Sequence, residues 1–176
     1  MGTQPDTDAV FSAWLAEHGG IVEKVSRAYA REERERADLA RELMFQIWLS
    51  VPRFAGTAKA ATWIYRVCLN SALTWRRNTG RREQRHAAGI AVEGLPAASP
   101  GPALMAEHND LLGRMYEALH ALREFDRSLL LLQLDGLAYR DIAEVTGLTE
   151  NHVGVALSRA RQRLAAQMKG VLNELE

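Results

Sequence analysis

The apolar residues of this 176-residue chain recur at the spacing of an α-helix almost from end to end. Ile21, Val25 and Tyr29 stand four residues apart, and the leucines and isoleucine of residues 39–47 repeat that interval. Residues three or four apart lie on one face of a helix, so each set predicts an amphipathic helix. We find no run of alternating apolar and polar residues rich in valine, isoleucine and threonine, which would predict a strand. The pattern therefore predicts an all-α fold.

Residues that begin or end helices divide the first half of the chain into four predicted helices. The glycine pair at residues 19–20 separates the first helix, which Asp8 is predicted to cap, from the second. Asp38 is the predicted cap of the third helix. Pro52 ends that helix, because proline lacks a backbone N–H and clashes with the preceding turn. The fourth helix is predicted at about residues 59–78.

The sequence HAAGIAVEGLPAASPGPA at residues 86–103 interrupts this pattern. It shows no periodicity, and serine, proline and glycine dominate its end, which is typical of a flexible linker. Helical spacing resumes at Leu104. We therefore predict two small helical domains, residues 1–86 and 104–176, joined by a linker at residues 87–103.

The sequence YRDIAEVTGLTENHVGVALSRARQRL at residues 139–164 has the spacing of a helix-turn-helix. Gly147 supplies the turn, where a positive φ costs glycine little. Thr149 is the predicted cap of the second helix, and Val153 and Leu157 of that helix face the core. A packed helical hairpin without a DNA role is the alternative interpretation, because helix-glycine-helix units are common.

If this unit binds DNA, its second helix lies in the major groove with its N-terminal residues nearest the bases. Those residues are Glu150, Asn151 and His152. Arg159 and Arg163 lie further along the helix, where contacts to phosphate are more natural than contacts to bases.

The charge of the chain is balanced overall but not locally. The sequence has 22 basic and 22 acidic residues, yet residues 1–87 hold 14 Lys and Arg against 10 Asp and Glu, a net charge of +4. Nucleic-acid binding depends on clustered charge rather than on the average. A neutral total therefore does not exclude a nucleic-acid partner.

Several classes of protein find no support in the sequence. It has no His-x-x-x-His pair, no paired cysteines, no glycine-rich phosphate loop and no nucleophile elbow, so we predict no enzyme activity, no metal and no cofactor. Cys68 is the only cysteine, which rules out an intramolecular disulfide. No signal peptide and no apolar run of roughly 20 residues is present, so we predict a cytoplasmic protein without membrane insertion.

Two motif sets in this order resemble one known family. The sequence DLARELMFQIWLSVPRFAGTAKAATWIYRVCLNSALTWRR at residues 38–77 resembles region two of bacterial RNA polymerase sigma factors. Residues 121–168 are similar to their region four. The presence of these two regions with only a short linker resembles the extracytoplasmic-function (ECF) group. The resemblance covers most of the chain and implies a promoter-specificity subunit that does no chemistry of its own.

The resemblance implies a polymerase-binding edge on the predicted third helix. In the family, the residues that here are Asp38, Leu39, Arg41, Glu42 and Phe45 dock on the coiled coil of the clamp of the largest polymerase subunit. Arg41 stands where the family often has glutamine. Further partners that the resemblance implies are the polymerase flap, promoter DNA and a cognate anti-sigma factor.

The resemblance also implies that the predicted fourth helix melts the minus-ten promoter element and captures a flipped base. Asn70 stands at the family's asparagine, and Thr74 stands where aspartate is frequent. The candidate minus-ten residues are Arg66, Asn70, Thr74, Trp75, Arg76, Arg77 and Arg81.

Aromatic and basic residues together suit this role physically. Opening a duplex costs about 1.4 kcal/mol of stacking per base-pair step. Base–aromatic stacking returns about 1–3 kcal/mol per base, and a basic groove follows the phosphates. Trp48 and Trp63 lie on apolar stripes and are predicted core residues, whereas Trp75 stands beside arginines and is predicted to face either the core or DNA.

For the minus-thirty-five element the resemblance implies contacts from Thr149, Glu150, Asn151, His152, Arg159 and Arg163. The family usually has lysine or arginine just past the first turn of this helix, where this chain has Gly154, Val155 and Ala156. Asn151 and His152 are therefore the expected base readers. A stand-alone helix-turn-helix regulator and a structural adaptor remain alternatives, and binding to core polymerase separates them from a sigma factor.

Overall fold

The computed structural model describes the backbone of residues 6–86 and 106–173 and the side chains of residues 6–79 and 111–169. These ranges contain seven α-helices and no strand, which confirms the predicted all-α fold. The predicted linker at residues 87–103 lies outside the described residues. The helices are α1 (Thr7–Tyr29), α2 (Glu33–Ser50), α3 (Ala60–His86), α4 (Ala106–His120), α5 (Glu124–Leu134), α6 (Tyr139–Thr146) and α7 (Glu150–Asn173).

Helix α1 is continuous, so the predicted break at Gly19 and Gly20 is wrong. Each glycine costs a helix about 1 kcal/mol relative to alanine. The buried side chains of Trp14 before the pair and Ile21 after it lie on the same bundle-facing side, and this packing outweighs the cost. The cap is Asp6, whose carboxylate accepts a hydrogen bond from the Asp8 N–H at 3.1 Å.

Helix α2 begins five residues before the predicted cap, Asp38. Its first turn is closed by Glu32 and Glu35, and the Glu32 N–H donates to the Glu35 carboxylate at 3.5 Å. A short 3-10 turn, Val51–Arg53, follows α2 and contains Pro52, as the sequence predicts. Helices α1, α2 and α3 form a three-helix bundle around a fully buried core, to which α2 contributes Leu39, Leu43 and Ile47.

Helices α5, α6 and α7 pack on one another around Leu129, Ile142 and Val153, and α4 packs along α7. Gly147 ends α6 with φ of +74°, the left-handed conformation that the sequence predicts for this turn. A hydrogen bond at 3.4 Å from the His152 N–H to the Thr149 hydroxyl closes the start of α7. The helix-turn-helix geometry is thereby confirmed.

The two halves of the described structure pack against each other. The Tyr29 hydroxyl lies 2.6 Å from the Ser128 hydroxyl, and the Tyr65 hydroxyl donates to Asp135 at 2.6 Å. Lys24 also donates to Asp135. Burial alone would raise the pKa of Asp135, but these two hydrogen bonds outweigh it and lower the pKa, so that the carboxylate stays charged at the interface.

Arg127 lies at the centre of this contact and is almost fully buried. Its guanidinium donates to the carbonyl oxygens of Leu119, His120 and Leu122 in its own half, at 2.9–3.0 Å. It also donates to the Ala28 carbonyl of the other half at 3.2 Å. One side chain therefore caps the ends of α1 and α4 together.

Candidate nucleic-acid and partner interfaces

A polar cleft runs between α2 and α3. The side of α2 contributes Asp38, Glu42 and Gln46. The facing side of α3 contributes Asn70, Ser71, Thr74, Trp75, Asn78 and Thr79. The structure therefore brings two of the predicted polymerase-binding residues and three of the predicted minus-ten residues to one cleft, although they are distant in sequence.

The outer edge of α2 combines charge with exposed apolar surface. Arg41 forms an ion pair with Asp38 at 2.7 Å, and Glu42 accepts a hydrogen bond from Gln46 at 2.9 Å. The Phe45 side chain next to them is 54% exposed. An edge of this kind can receive a partner through both charge and apolar contact.

Leu39 does not belong to this edge. Its side chain is fully buried in the three-helix core, because Leu39 follows Asp38 by one residue and therefore points about 100° away from it round the helix. It therefore supports the edge from within, and the expectation that it contacts a docked partner is corrected.

Trp48 is the second residue that the structure relocates. It was predicted in the core, but it is 38% exposed, its ring lies 6.4 Å from that of Phe45, and its indole N–H donates to Asp8 at 2.7 Å. Leu49 beside it is 39% exposed. Phe45, Trp48 and Leu49 thus form an apolar patch that sequence reasoning missed. The prediction placed Trp48 on an apolar stripe, but Trp48 follows Ile47 by one residue and therefore lies about 100° from the stripe of Leu43 and Ile47.

Four of the candidate minus-ten residues lie along one side of α3. Arg66, Asn70, Thr74 and Arg77 are spaced by four, four and three residues. The Thr74 hydroxyl donates to the Asn70 carbonyl at 3.0 Å and accepts from Arg77 at 3.3 Å. The Arg66 guanidinium lies 4.5 Å from the centre of the Trp63 ring. This side offers a polar amide between two cations, which suits a nucleic-acid strand.

The other three candidate minus-ten residues differ in position. Trp75 is half-buried and lines the cleft beside Asn70. Arg76 points to the other half of the structure, where it lies 3.3 Å from Glu124. Arg81 belongs to α3, but its side chain lies outside the described residues.

Trp63 packs against the core, as predicted, and Cys68 is fully buried in it. The Trp63 ring packs 5.7 Å from the Phe54 ring, and its N–H donates to the Ser50 hydroxyl at 3.0 Å. Burial raises the pKa of the Cys68 thiol to about 12, so the thiol stays neutral and acts as a small apolar group.

The start of α7 exposes the predicted minus-thirty-five residues. Thr149, Glu150, Asn151 and His152 are all exposed, and the Thr149 hydroxyl lies 3.0 Å from His152 Nδ1. This contact engages the Nδ1 side of the exposed imidazole. Asn151 has an exposed amide at the same end of the helix.

The two candidate phosphate-binding arginines of α7 are not equivalent. Arg159 is exposed. Arg163 forms an ion pair at 2.6 Å with Asp126, which is 7% exposed, so one side of its guanidinium is held by α5. A phosphate contact by Arg163 would use its remaining N–H groups.

Two kinds of feature are absent from the described part of the chain. No helix in residues 6–86 or 106–173 is both long enough and apolar enough to cross a membrane. Among the side chains of residues 6–79 and 111–169, no three His, Cys, Asp or Glu residues converge as a metal site would require.

Two family models match the chain. The model of sigma-70 region 2 matches residues 14–82, and the model of sigma-70 region 4 matches residues 112–164. These ranges contain the α2–α3 cleft and the helix-turn-helix, respectively.

Individual relatives carry related names. The ECF RNA polymerase sigma-E factor of Haemophilus influenzae is 25% identical over 144 residues, which are 77% of this chain and 75% of the relative. The ECF RNA polymerase sigma factor SigE of Mycolicibacterium smegmatis is 25% identical over 161 residues, 89% of this chain but only 62% of that protein. The RNA polymerase sigma-H factor of Pseudomonas aeruginosa is 26% identical over 155 residues, which cover 83% of this chain and 79% of the relative.

Two solved structures share the fold. One is the sigma factor RpoE of Bartonella quintana in complex with the anti-sigma factor NepR, with a TM-score of 0.67, 21% identity, and 90% of this chain and 96% of that chain covered. The other is CnrH in complex with the cytosolic domain of CnrY, with a TM-score of 0.62 and 19% identity. The match covers 93% of this chain and 90% of that chain.

Proposed function

Because the chain belongs to the ECF group of the sigma-70 family, we propose that it binds core RNA polymerase, directs it to particular promoters and helps to open their DNA. The observation that carries this proposal is the α2–α3 cleft, where an edge suited to a protein partner adjoins a side suited to a single DNA strand. In this proposal residues 1–86 and 104–176 act as the two DNA-reading domains, with residues 87–103 as their linker. The protein performs no catalysis itself and acts in the cytoplasm.

Each interface has a proposed role. The α2 edge with Asp38, Arg41, Glu42 and Phe45 docks on the polymerase clamp, and Trp48 extends its apolar part. The α3 side around Asn70 receives the non-template strand of the minus-ten element, with Trp75 as a stacking surface. The start of α7 enters the major groove of the minus-thirty-five element. Region four also contacts the polymerase flap.

We further propose an anti-sigma protein as the inhibitor of this chain. RpoE of Bartonella quintana is held by NepR, and CnrH is bound by the cytosolic domain of CnrY. The similarity of fold supports an inhibitor of the same general kind here.

Run-off transcription from genomic DNA fragments, with core polymerase and purified protein, tests the proposed function. We expect transcripts from a discrete set of start sites that core polymerase alone does not produce. A stand-alone helix-turn-helix regulator would instead bind duplex DNA without core polymerase and would not co-purify with the core enzyme.

Reversal of one charge on the α2 edge should weaken the complex with polymerase. We expect Glu42→Arg to lower the affinity for core polymerase about tenfold, which corresponds to about 1.4 kcal/mol, because in the proposed complex the positive side chain would face a surface that is complementary to the negative charge of Glu42. The measurement is a binding titration with fluorescently labelled protein at a fixed salt concentration.

Glu17→Arg is the matched control. It makes the same change of charge at an exposed position on α1, outside the α2–α3 cleft, and should leave the affinity within twofold. Equal affinities of Glu42→Arg and the parent for core polymerase would refute the assignment of this edge.

A further inference from the structure

The outward face of α7 carries an exposed apolar side chain at its centre. Val155 is 52% exposed, and it is the one large apolar residue of α7 with that exposure among residues 150–169. It lies two residues from both Val153 and Leu157, which are fully buried. Two residues are about 200° round a helix, so Val155 points directly away from the core.

The residues next to Val155 are small, so its isopropyl group stands out from the surface of the helix. Gly154 has no side chain, and Ala156 and Ser158 have small ones. A Cβ at Gly154 would lie 3.4 Å from the ring of Tyr139, which packs there from α6. Within this stretch the isopropyl group of Val155 is the only large group directed outward.

Polar and cationic residues flank Val155 along the same face. Asn151 precedes it by four residues and Arg159 follows it by four, and all three are exposed. Arg161 adds a further exposed cation to α7. A face that combines an amide, an apolar group and arginines is complementary to the major groove, where base edges lie between two rows of phosphates.

A single exposed valine is common on protein surfaces and by itself has no meaning. The position of this one is the informative fact. A β-branched residue is a poorer helix former than alanine, and its exposure stabilises nothing in the free protein. It stands at the face that a helix-turn-helix turns toward DNA.

The chemistry of the major groove restricts what valine can read there. Adenine, guanine and cytosine present hydrogen-bonding groups that valine cannot use, whereas thymine also presents its C5-methyl group to apolar side chains. We propose that Val155 determines specificity by packing on a thymine methyl of the minus-thirty-five element, next to a base that Asn151 contacts. This inference rests on the proposed role of α7 in reading that element.

Removal of single methyl groups from DNA tests the contact. Core polymerase loaded with the full chain first selects duplexes from a random pool, which defines the upstream element. Each thymine of the selected element is then replaced by deoxyuridine, which lacks only the methyl group. We expect one replacement to weaken binding about fourfold, the effect of one buried methyl group, and the others to have little effect.

Val155→Ala should abolish this difference between thymine and uracil at that one position. Leu134→Ala is the control, since Leu134 is 58% exposed on α5 and belongs to none of the assigned interfaces. It should preserve the fourfold difference.

Two results would overturn the assignment of Val155 alone. One is an upstream element in which no thymine is sensitive to loss of its methyl group, and the other is equal sensitivity in Val155→Ala and the parent. Selection without any upstream element would overturn the minus-thirty-five role of α7 together with that of Val155.

Discussion

Asn70→Ala is expected to lower promoter opening at least tenfold while binding of the closed duplex stays within twofold. The Asn70 amide is exposed on the cleft side of α3, between Arg66 and Arg77 along the helix and next to Trp75. A base that leaves the duplex loses stacking worth about 1.4 kcal/mol per step, and new contacts must offset this loss. Loss of one hydrogen bond made only in the open complex should therefore reduce opening and leave the closed complex almost unchanged.

Permanganate footprinting of unpaired thymines measures opening, and a mobility shift at low temperature measures the closed complex. We also expect the preference at one minus-ten position to relax, because the alanine methyl group cannot distinguish between bases by hydrogen bonds. If Asn70→Ala opens promoters as well as the parent protein with the same base preference, Asn70 is only a surface residue of α3.

Arg77→Ala is the informative comparison, because it changes the same side of α3 in a different way. Its guanidinium hydrogen-bonds only to Thr74 among the described contacts and is exposed. Loss of a phosphate contact should weaken binding to all sequences alike and make the salt dependence shallower by about one ion. The two variants thus separate capture of a base from attraction to the backbone.

Local features of the structure follow well from the sequence. The turn at Gly147 and the cap at Thr149 were predictable because each depends on only a few neighbouring residues. The turn requires a positive φ, which glycine adopts easily, and the first turn of α7 requires an acceptor for its unpaired N–H groups. The end of α2 near Pro52 follows from the same kind of argument. Helical spacing likewise predicted most of the buried stripes.

The errors arise where tertiary packing overrides a local preference. Glycines 19 and 20 favour a break, but buried residues on both sides hold α1 together. Leu39 and Asp38 are neighbours in sequence, yet a rotation of 100° sends one to the core and the other to the cleft. Motif resemblance groups such residues by function and does not reveal which face each one occupies.

The contact between the two halves has no signature in the sequence. Tyr29 and Ser128 are 99 residues apart, and Tyr65 and Asp135 are 70 apart. Periodicity reports which face of a helix is apolar, but it does not report which polar residues will pair across a domain boundary. A pattern of two helical domains was therefore predictable, and their packing was not.

Arg127→Met is expected to destabilise both halves of the protein by about 3–5 kcal/mol. Methionine fills much of the volume but donates no hydrogen bond, so four buried carbonyl oxygens lose their donor. Each unsatisfied buried group costs about 1–3 kcal/mol, part of which relaxation and water recover. The nearby His120 offers no replacement charge, because its burial, the largest cause that lowers its pKa, does not depend on Arg127.

The placement of the tryptophans makes this prediction testable in each half separately. All four tryptophans of the chain lie in the first half, whereas Arg127 lies in the second. Tryptophan fluorescence therefore follows unfolding of α1–α3, and circular dichroism follows all helices. We expect Arg127→Met to shift both denaturation midpoints together, because its bond to the Ala28 carbonyl couples the halves.

Arg123→Met is the matched control, since Arg123 is exposed just before α5. It should change the free energy of unfolding obtained from either transition by no more than about 0.5 kcal/mol. A shift of the circular dichroism midpoint without a shift of the fluorescence midpoint would mean that the halves unfold independently and that the Ala28 contact carries little energy. Equal midpoints for both variants and the parent would mean that water replaces the guanidinium at all four carbonyls, and Arg127 would then contribute nothing to the stability of the fold.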